Sequence, residues 1–204
     1  MFKLIKGAKI NDSIELKEEY EVADRWIYAN ISAENIRKVI DKFIEIEDGN
    51  RFCLFIELPS NRKDENIVGV TEEGYYQADS LHIDVYYLDN ISADYLIELL
   101  NLFDDILVND GLSSFGVLSQ SGREIGKYKY NVIKAYSNDD LSPIVEVFTA
   151  LDIPETYELV TAWNYFSYDD PGESKIYNLE GKTIYDVVDT LKEVGMYKAE
   201  QRVE

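Results

Sequence analysis

The chain has 204 residues, enough for one substantial hydrophobic core or two small ones, and 46% apolar with 13% aromatic residues excludes disorder over most of its length. Its 20 Lys and Arg stand against 40 Asp and Glu, giving a formal charge of −20 and a pI near 4.3. A surface of that sign repels phosphate backbones and anionic bilayers, so direct nucleic-acid binding and membrane-surface roles are disfavoured, while cationic proteins are attracted.

The first residues, Met-Phe-Lys-Leu-Ile-Lys-Gly, lack the long apolar stretch of a signal peptide. No segment approaches the ~20 apolar residues of a membrane span, so a soluble, cytoplasmic protein is expected. Trp26-Ile27-Tyr28 reads as a strand. Ser32 then supplies an N-cap, Glu34 places negative charge at the positive end of a helix dipole, and Ile36, Val39, Ile40, Phe43 and Ile46 line one helical face. Residues 52–58 alternate, with Phe52, Leu54, Ile56 and Leu58 on one side and Cys53, Phe55 and Glu57 on the other. Cys53 is the only cysteine and sits in an apolar run, so it reads as a small buried hydrophobe; no intramolecular disulfide can form.

Residues 61–80 are polar at first and read either as a linker or as a hairpin with strands at Val68–Val70 and Tyr75–Tyr76. The first pattern then recurs. Asn30-Ile31-Ser32-Ala33-Glu34 returns sixty residues later as Asn90-Ile91-Ser92-Ala93-Asp94, after a strand-like run over 83–87. In the same register Leu96, Leu99, Leu100, Phe103 and Ile106 repeat the apolar helix face. Asn109-Asp110-Gly111 turns the chain into a strand over 114–118. A diverged third copy follows: a strand over 130–136, a helix opened by Ser142-Pro143 and running through Phe148 and Leu151, and a closing strand over 159–166. Beyond the turn signal at 169–173, a short strand is expected over 174–179. A capping box at Thr183 and Asp186 opens a last helix carrying Val187, Val188, Leu191 and Val194, and Gly195 stops it. Residues 198–204 are charged and expected to fray.

These elements predict an α+β fold of tandem strand-helix-strand units, with internal duplication as one origin, forming a mixed or antiparallel sheet covered by helices and ending in a C-terminal helix. The division expected is a first unit over 1–65 and the second and third units with the C-terminal helix over 66–204, or one domain in which all of them pack together.

Chemistry has little to hold on to. His82 is the only histidine, with Asp79, Ser80 and Asp84 nearby, but Ser80 lies too close in sequence for a nucleophile elbow and no Gly-x-Ser-x-Gly is present. One His and one Cys exclude the usual zinc sets, and Asp104-Asp105 with Asn109-Asp110-Gly111 lacks calcium-loop spacing. Phosphate-binding glycine motifs are missing too. No cofactor or metal is expected. The sharpest signal is charge distribution: residues 1–60, 61–120 and 121–204 carry net charges of 9−12, 2−12 and 9−16, and from Asp64 to Gly122 twelve acids occur with no Lys or Arg.

The reading that follows is an acidic, non-enzymatic binding protein of bacterial immunity or antitoxin type. It would occlude a basic partner such as a toxin nuclease, through a face bearing Asp79, Asp84, Tyr86, Asp89, Asp104, Asp105 and Asp110. Three other readings remain open at this point: an enzyme or small-ligand binder with a pocket near His82, an inhibitor whose carboxylates mimic nucleic acid, and a structural or regulatory domain whose acidity serves only solubility.

Overall fold

A computed structural model describes residues 2–47, 49–60, 67–70, 76–78 and 82–203. In chain order the elements are β1 (Ala8–Lys9), β2 (Glu19–Ala23), β3 (Trp26–Asn30), α1 (Ala33–Ile46), β4 (Phe52–Pro59), β5 (Ile67–Val70), β6 (Tyr76–Ala78), β7 (His82–Ile91) and α2 (Ala93–Asn109). They continue as β8 (Ser114–Ser119), β9 (Arg123–Lys127), β10 (Val132–Ser137), α3 (Ser142–Thr149), β11 (Glu173–Ser174), α4 (Ile184–Lys192) and β12 (Tyr197–Val203). The fold is α+β. Eight strands form one antiparallel sheet in the order β12-β7-β4-β8-β9-β10-β3-β2, and β1 with β11 and β5 with β6 make two small ribbons.

The alternation of β4 explains the core. Phe52, Leu54, Ile56 and Leu58 are buried on one face together with Val117, Ile125, Ile133, Ala135 and Ile27 from neighbouring strands. The helices pack against that face side by side in the order α4-α2-α1-α3. Each is amphipathic: Ile36, Val39, Ile40 and Phe43 of α1, Leu96 and Leu100 of α2, and Val187, Val188 and Leu191 of α4 all join the same core cluster. Removal of this apolar surface from water is the main force holding the layers together.

Both expected strand-helix-strand units form, as β3-α1-β4 and β7-α2-β8. A duplication is not confirmed. Three strands separate β3 from β4, whereas only β4 separates β7 from β8. The two serine caps also differ: Ser92 Oγ accepts the Tyr95 N–H at 3.3 Å, while Ser32 Oγ accepts the N–H of Lys3 at 3.0 Å. Because β4 lies between β7 and β8, the stretch 61–80 does not divide the main sheet. Within it, β5 and β6 pair as a hairpin, and Tyr75 lies outside the described residues.

Three expectations are corrected. Residues 159–166 form no strand; they hold a 3₁₀ turn over Ala162–Tyr165, because the Asn164 side chain accepts the Thr161 N–H at 2.8 Å and caps the turn. Of residues 174–179 only Ser174 is in a strand, β11, whose partner is β1. The charged C-terminus does not fray: it forms β12 on the edge of the sheet, because Lys198 and Gln201 reach Asp84 and Arg202 reaches Glu57.

Candidate functional site

The acids of the central third do not converge on one outward face. Asp79 lies outside the described residues. Asp84 and Tyr86 share the helix-side face of β7 and are buried, not displayed. Asp84 accepts bonds from Ser60 Oγ at 2.6 Å and Gln201 Nε2 at 2.8 Å, and pairs with Lys198 Nζ at 2.6 Å. Burial alone would raise its pKa, but those three donors hold the carboxyl below its usual range. Asp89 is exposed and accepts the Tyr197 hydroxyl at 2.6 Å. On α2, Asp104 lies 3.7 Å from Arg37 and Asp105 lies 2.8 Å from Lys6.

Asp110 is 0% exposed. One of its oxygens accepts the Leu112 and Ser113 N–H groups at 3.0 and 2.8 Å, and the other accepts the Tyr177 N–H at 2.8 Å. Asp84, Tyr86 and Asp110 are thus structural side chains, a correction to their expected place on a docking face. The basic residues missing from the middle of the sequence are supplied by its ends.

The opposite face of the sheet carries no described helix. Along it, cross-strand neighbours bring Glu21, Tyr28, Lys134 and Gly126 into one row, and Ser114 and Glu57 into the next. The glycines here have a packing reason. A Cβ on Gly116 would lie 2.5 Å from the Phe55 ring, and one on Gly126 would lie 2.8 Å from it, so both are small to let Phe55 fold over the sheet. A cleft of about 620 Å³ opens beside them, walled by Tyr28, Tyr128, Val132 and Ile83, with Glu21, Glu57 and Lys134 among its polar groups.

Lys134 Nζ sits 4.5 Å over the Tyr128 ring. Burial raises the Tyr128 phenol, and burial together with the negative charge of Glu57 raises Glu124. His82 is absent from this cleft. Its neighbour Ile83 lines the cleft, and strand alternation turns His82 to the helix side with Asp84. Among the described residues, no group of three or more His, Cys, Asp or Glu side chains is placed to hold a metal.

The rim of the cleft is a segment that sequence reasoning missed as a site. From Ala135 to Ser174 there are nine acids and no Lys or Arg, a second base-free run. Among the described residues only one of those nine has an ion pair, Glu173 with Lys9 at 3.4 Å. Aromatics stand beside them. Tyr157 is 100% exposed, Tyr168 99%, Trp163 52% and Tyr165 45%.

The backbone beneath is pinned to the sheet edge. Tyr20 N–H donates to Pro154 O, Thr156 N–H donates to Tyr20 O, and Leu159 N–H donates to the Glu21 carboxylate. Asn30 Nδ2 then donates to Val160 O at 2.5 Å. Trp163 packs edge-on against Tyr130 and Phe166, with ring centroids 5.0 and 5.3 Å away. The signal for this site was present in the sequence as a second gap in basic residues; the expectation of a closing strand over 159–166 hid it.

No family model, curated protein or solved structure matches this chain. Nor is any described helix long and apolar enough to cross a membrane.

Proposed function

We propose that this chain is a non-enzymatic, acidic binding protein of the immunity or antitoxin type, which occludes a basic partner such as a toxin nuclease. A nuclease must hold phosphates and therefore presents clustered Lys and Arg, the complement of a −20 surface. The observation that carries the reading is the 155–173 segment, where carboxylates that, Glu173 apart, have no ion pair among the described residues share one pinned stretch of backbone with exposed Tyr and Trp rings. Aromatic anchors with low rotamer entropy on a preorganised scaffold are the usual energetic centre of an interface, and surrounding charge speeds encounter. The docking face thus moves from the central third to this segment and the cleft it borders.

The test is co-production with a basic toxin nuclease, the first candidates being any basic protein found encoded beside this chain. The reading expects relief of that protein's toxicity and a stoichiometric complex whose association slows steeply as salt rises. A complex that does not form, or one indifferent to salt and to the pair Glu155→Lys and Glu158→Lys, would remove the proposal.

The cleft favours a second reading, a small amphipathic ligand held between Tyr28 and Tyr128, because its volume falls in the range of ligand pockets. Saturable quenching of tryptophan fluorescence by a small aromatic ligand, lost in Tyr128→Ala, would support it. A ligand screen with no saturable response in the wild type would end it.

A further inference from the structure

We infer that the 155–170 segment recognises arginine in particular, so the basic partner of the proposed function presents guanidinium groups, not merely positive charge, to Tyr157, Trp163 and Tyr168. The inference rests on that functional reading and adds the chemistry of the contact.

Elsewhere this fold seats its own cations on tyrosine rings. Lys134 lies 4.5 Å from the Tyr128 centroid, Lys6 lies 4.9 Å from Tyr177 and Lys192 lies 5.1 Å from Tyr86. The segment from 155 to 170 has the same rings at much higher exposure, yet no cation stacks on them among the described residues, and its own sequence holds no Lys or Arg. Glu155, Glu158 and Asp169 are exposed, stand next to or near Tyr157 and Tyr168 in sequence, and likewise lack an ion pair among the described residues.

Ring faces next to carboxylates favour guanidinium over ammonium for two reasons. A guanidinium is planar and weakly hydrated, so it stacks on a ring without losing a tight water shell. At the same time its edge offers paired N–H donors that fit a carboxylate's two oxygens. An ammonium satisfies either contact but not both in one plane. Preorganisation adds to the effect: the bonds to Tyr20, Glu21 and Asn30 and the packing of Trp163 on Tyr130 hold the segment in place before any partner arrives.

The experiment uses a Trp26→Phe background, which leaves Trp163 as the sole tryptophan, and titrates it with oligo-arginine and oligo-lysine peptides of equal length at moderate salt. The expected result is saturable Trp163 quenching, with the arginine peptide binding about fivefold tighter or more. Tyr157→Ala with Tyr168→Ala should cut the preference to the share of Trp163 alone and leave the charge-driven component. The control pair Asp94→Asn and Glu98→Gln, on α2, should weaken both peptides slightly and equally. Equal affinities in the parent, or a preference undiminished by loss of the two tyrosines, overturns the inference. The functional reading fails separately: a toxin complex that forms with no dependence on Tyr157 and Tyr168 sinks only the arginine contact, whereas arginine selectivity without any protein complex sinks only the immunity role.

Discussion

Lys127 carries an ammonium into the core with no exposed atom to hydrate it. Its Nζ donates to the carbonyls of Asp110 and Ser113, at 2.5 and 3.1 Å, and burial, partly offset by the Asp110 charge, lowers its pKa from 10.5 to about 8. Below pH 8 folded and unfolded chains are both protonated and the full desolvation cost is present. Between 8 and 10.5 the unfolded chain binds the extra proton, so stability from this group rises with pH, by about 3 kcal/mol in total. Urea unfolding of the wild type and Lys127→Met at pH 7 and pH 10 checks the sign, since the difference should shift toward the wild type at the higher pH. At neutral pH the variant should still be less stable by about 2–4 kcal/mol, because two buried carbonyls and Asp110 lose their partner. Gly116→Ala is expected to destabilise by about 2–4 kcal/mol in thermal unfolding, since its Cβ would stand 2.4 Å from Ile125 O and 2.5 Å from the Phe55 ring. No strand was expected over 123–127, so the burial of Lys127 beside Ile125 was not foreseen, and neither were its partners, because Asp110 and Ser113 come from another turn.

Among the elements, β12 is the one whose existence depends most on single side chains. Every residue in it is exposed, and it pairs only with β7 in the main sheet. What fixes it is the knot at Asp84, with Ser60, Lys198 and Gln201, reinforced by Arg202 on Glu57 at 3.0 Å. Asp84→Ala should therefore speed hydrogen exchange of the amides at 197–203 far more than those of β4, and cost about 2–3 kcal/mol, a value discounted because Lys198 is partly exposed. The pH dependence has the opposite sign to that of Lys127. The Asp84 carboxyl is held below 3.8, so its contribution is present above that pH and is lost as pH falls through the lower, folded value. The polar, charged composition of 198–204 suggested fraying because its partners lie far back in the chain, around residues 57–60 and 84, where no local pattern points to them. By contrast α1, α2, α3 and α4 were legible from three-four apolar spacing, a signal contained within each helix, with the expected caps forming at Ser92 and Thr183 but not at Ser32 or Ser142.

For the whole molecule, charge acts in two directions. Twice as many acids as bases makes the folded state repel itself, so added salt should raise the melting temperature, by a few degrees over roughly 20 to 300 mM. The same salt should weaken a complex with a basic protein. Opposite responses in the two measurements separate a functional acidic surface from one that serves solubility alone, since the latter predicts the first effect without the second.

Composition and spacing by themselves determined the net charge, the amphipathic helices, the alternating core strands and hence the α+β class, because each of these is a local or summed property of the chain. Which carboxylates remain unneutralised was decided only by the tertiary structure. Lys6, Arg37 and Lys198 come from the flanking thirds to meet acids of the centre, while among the described residues the acids of 155–173 gain one ion pair, Glu173 with Lys9. An ion pair forms through space between residues far apart in sequence, and a count of charges along the chain does not contain that distance.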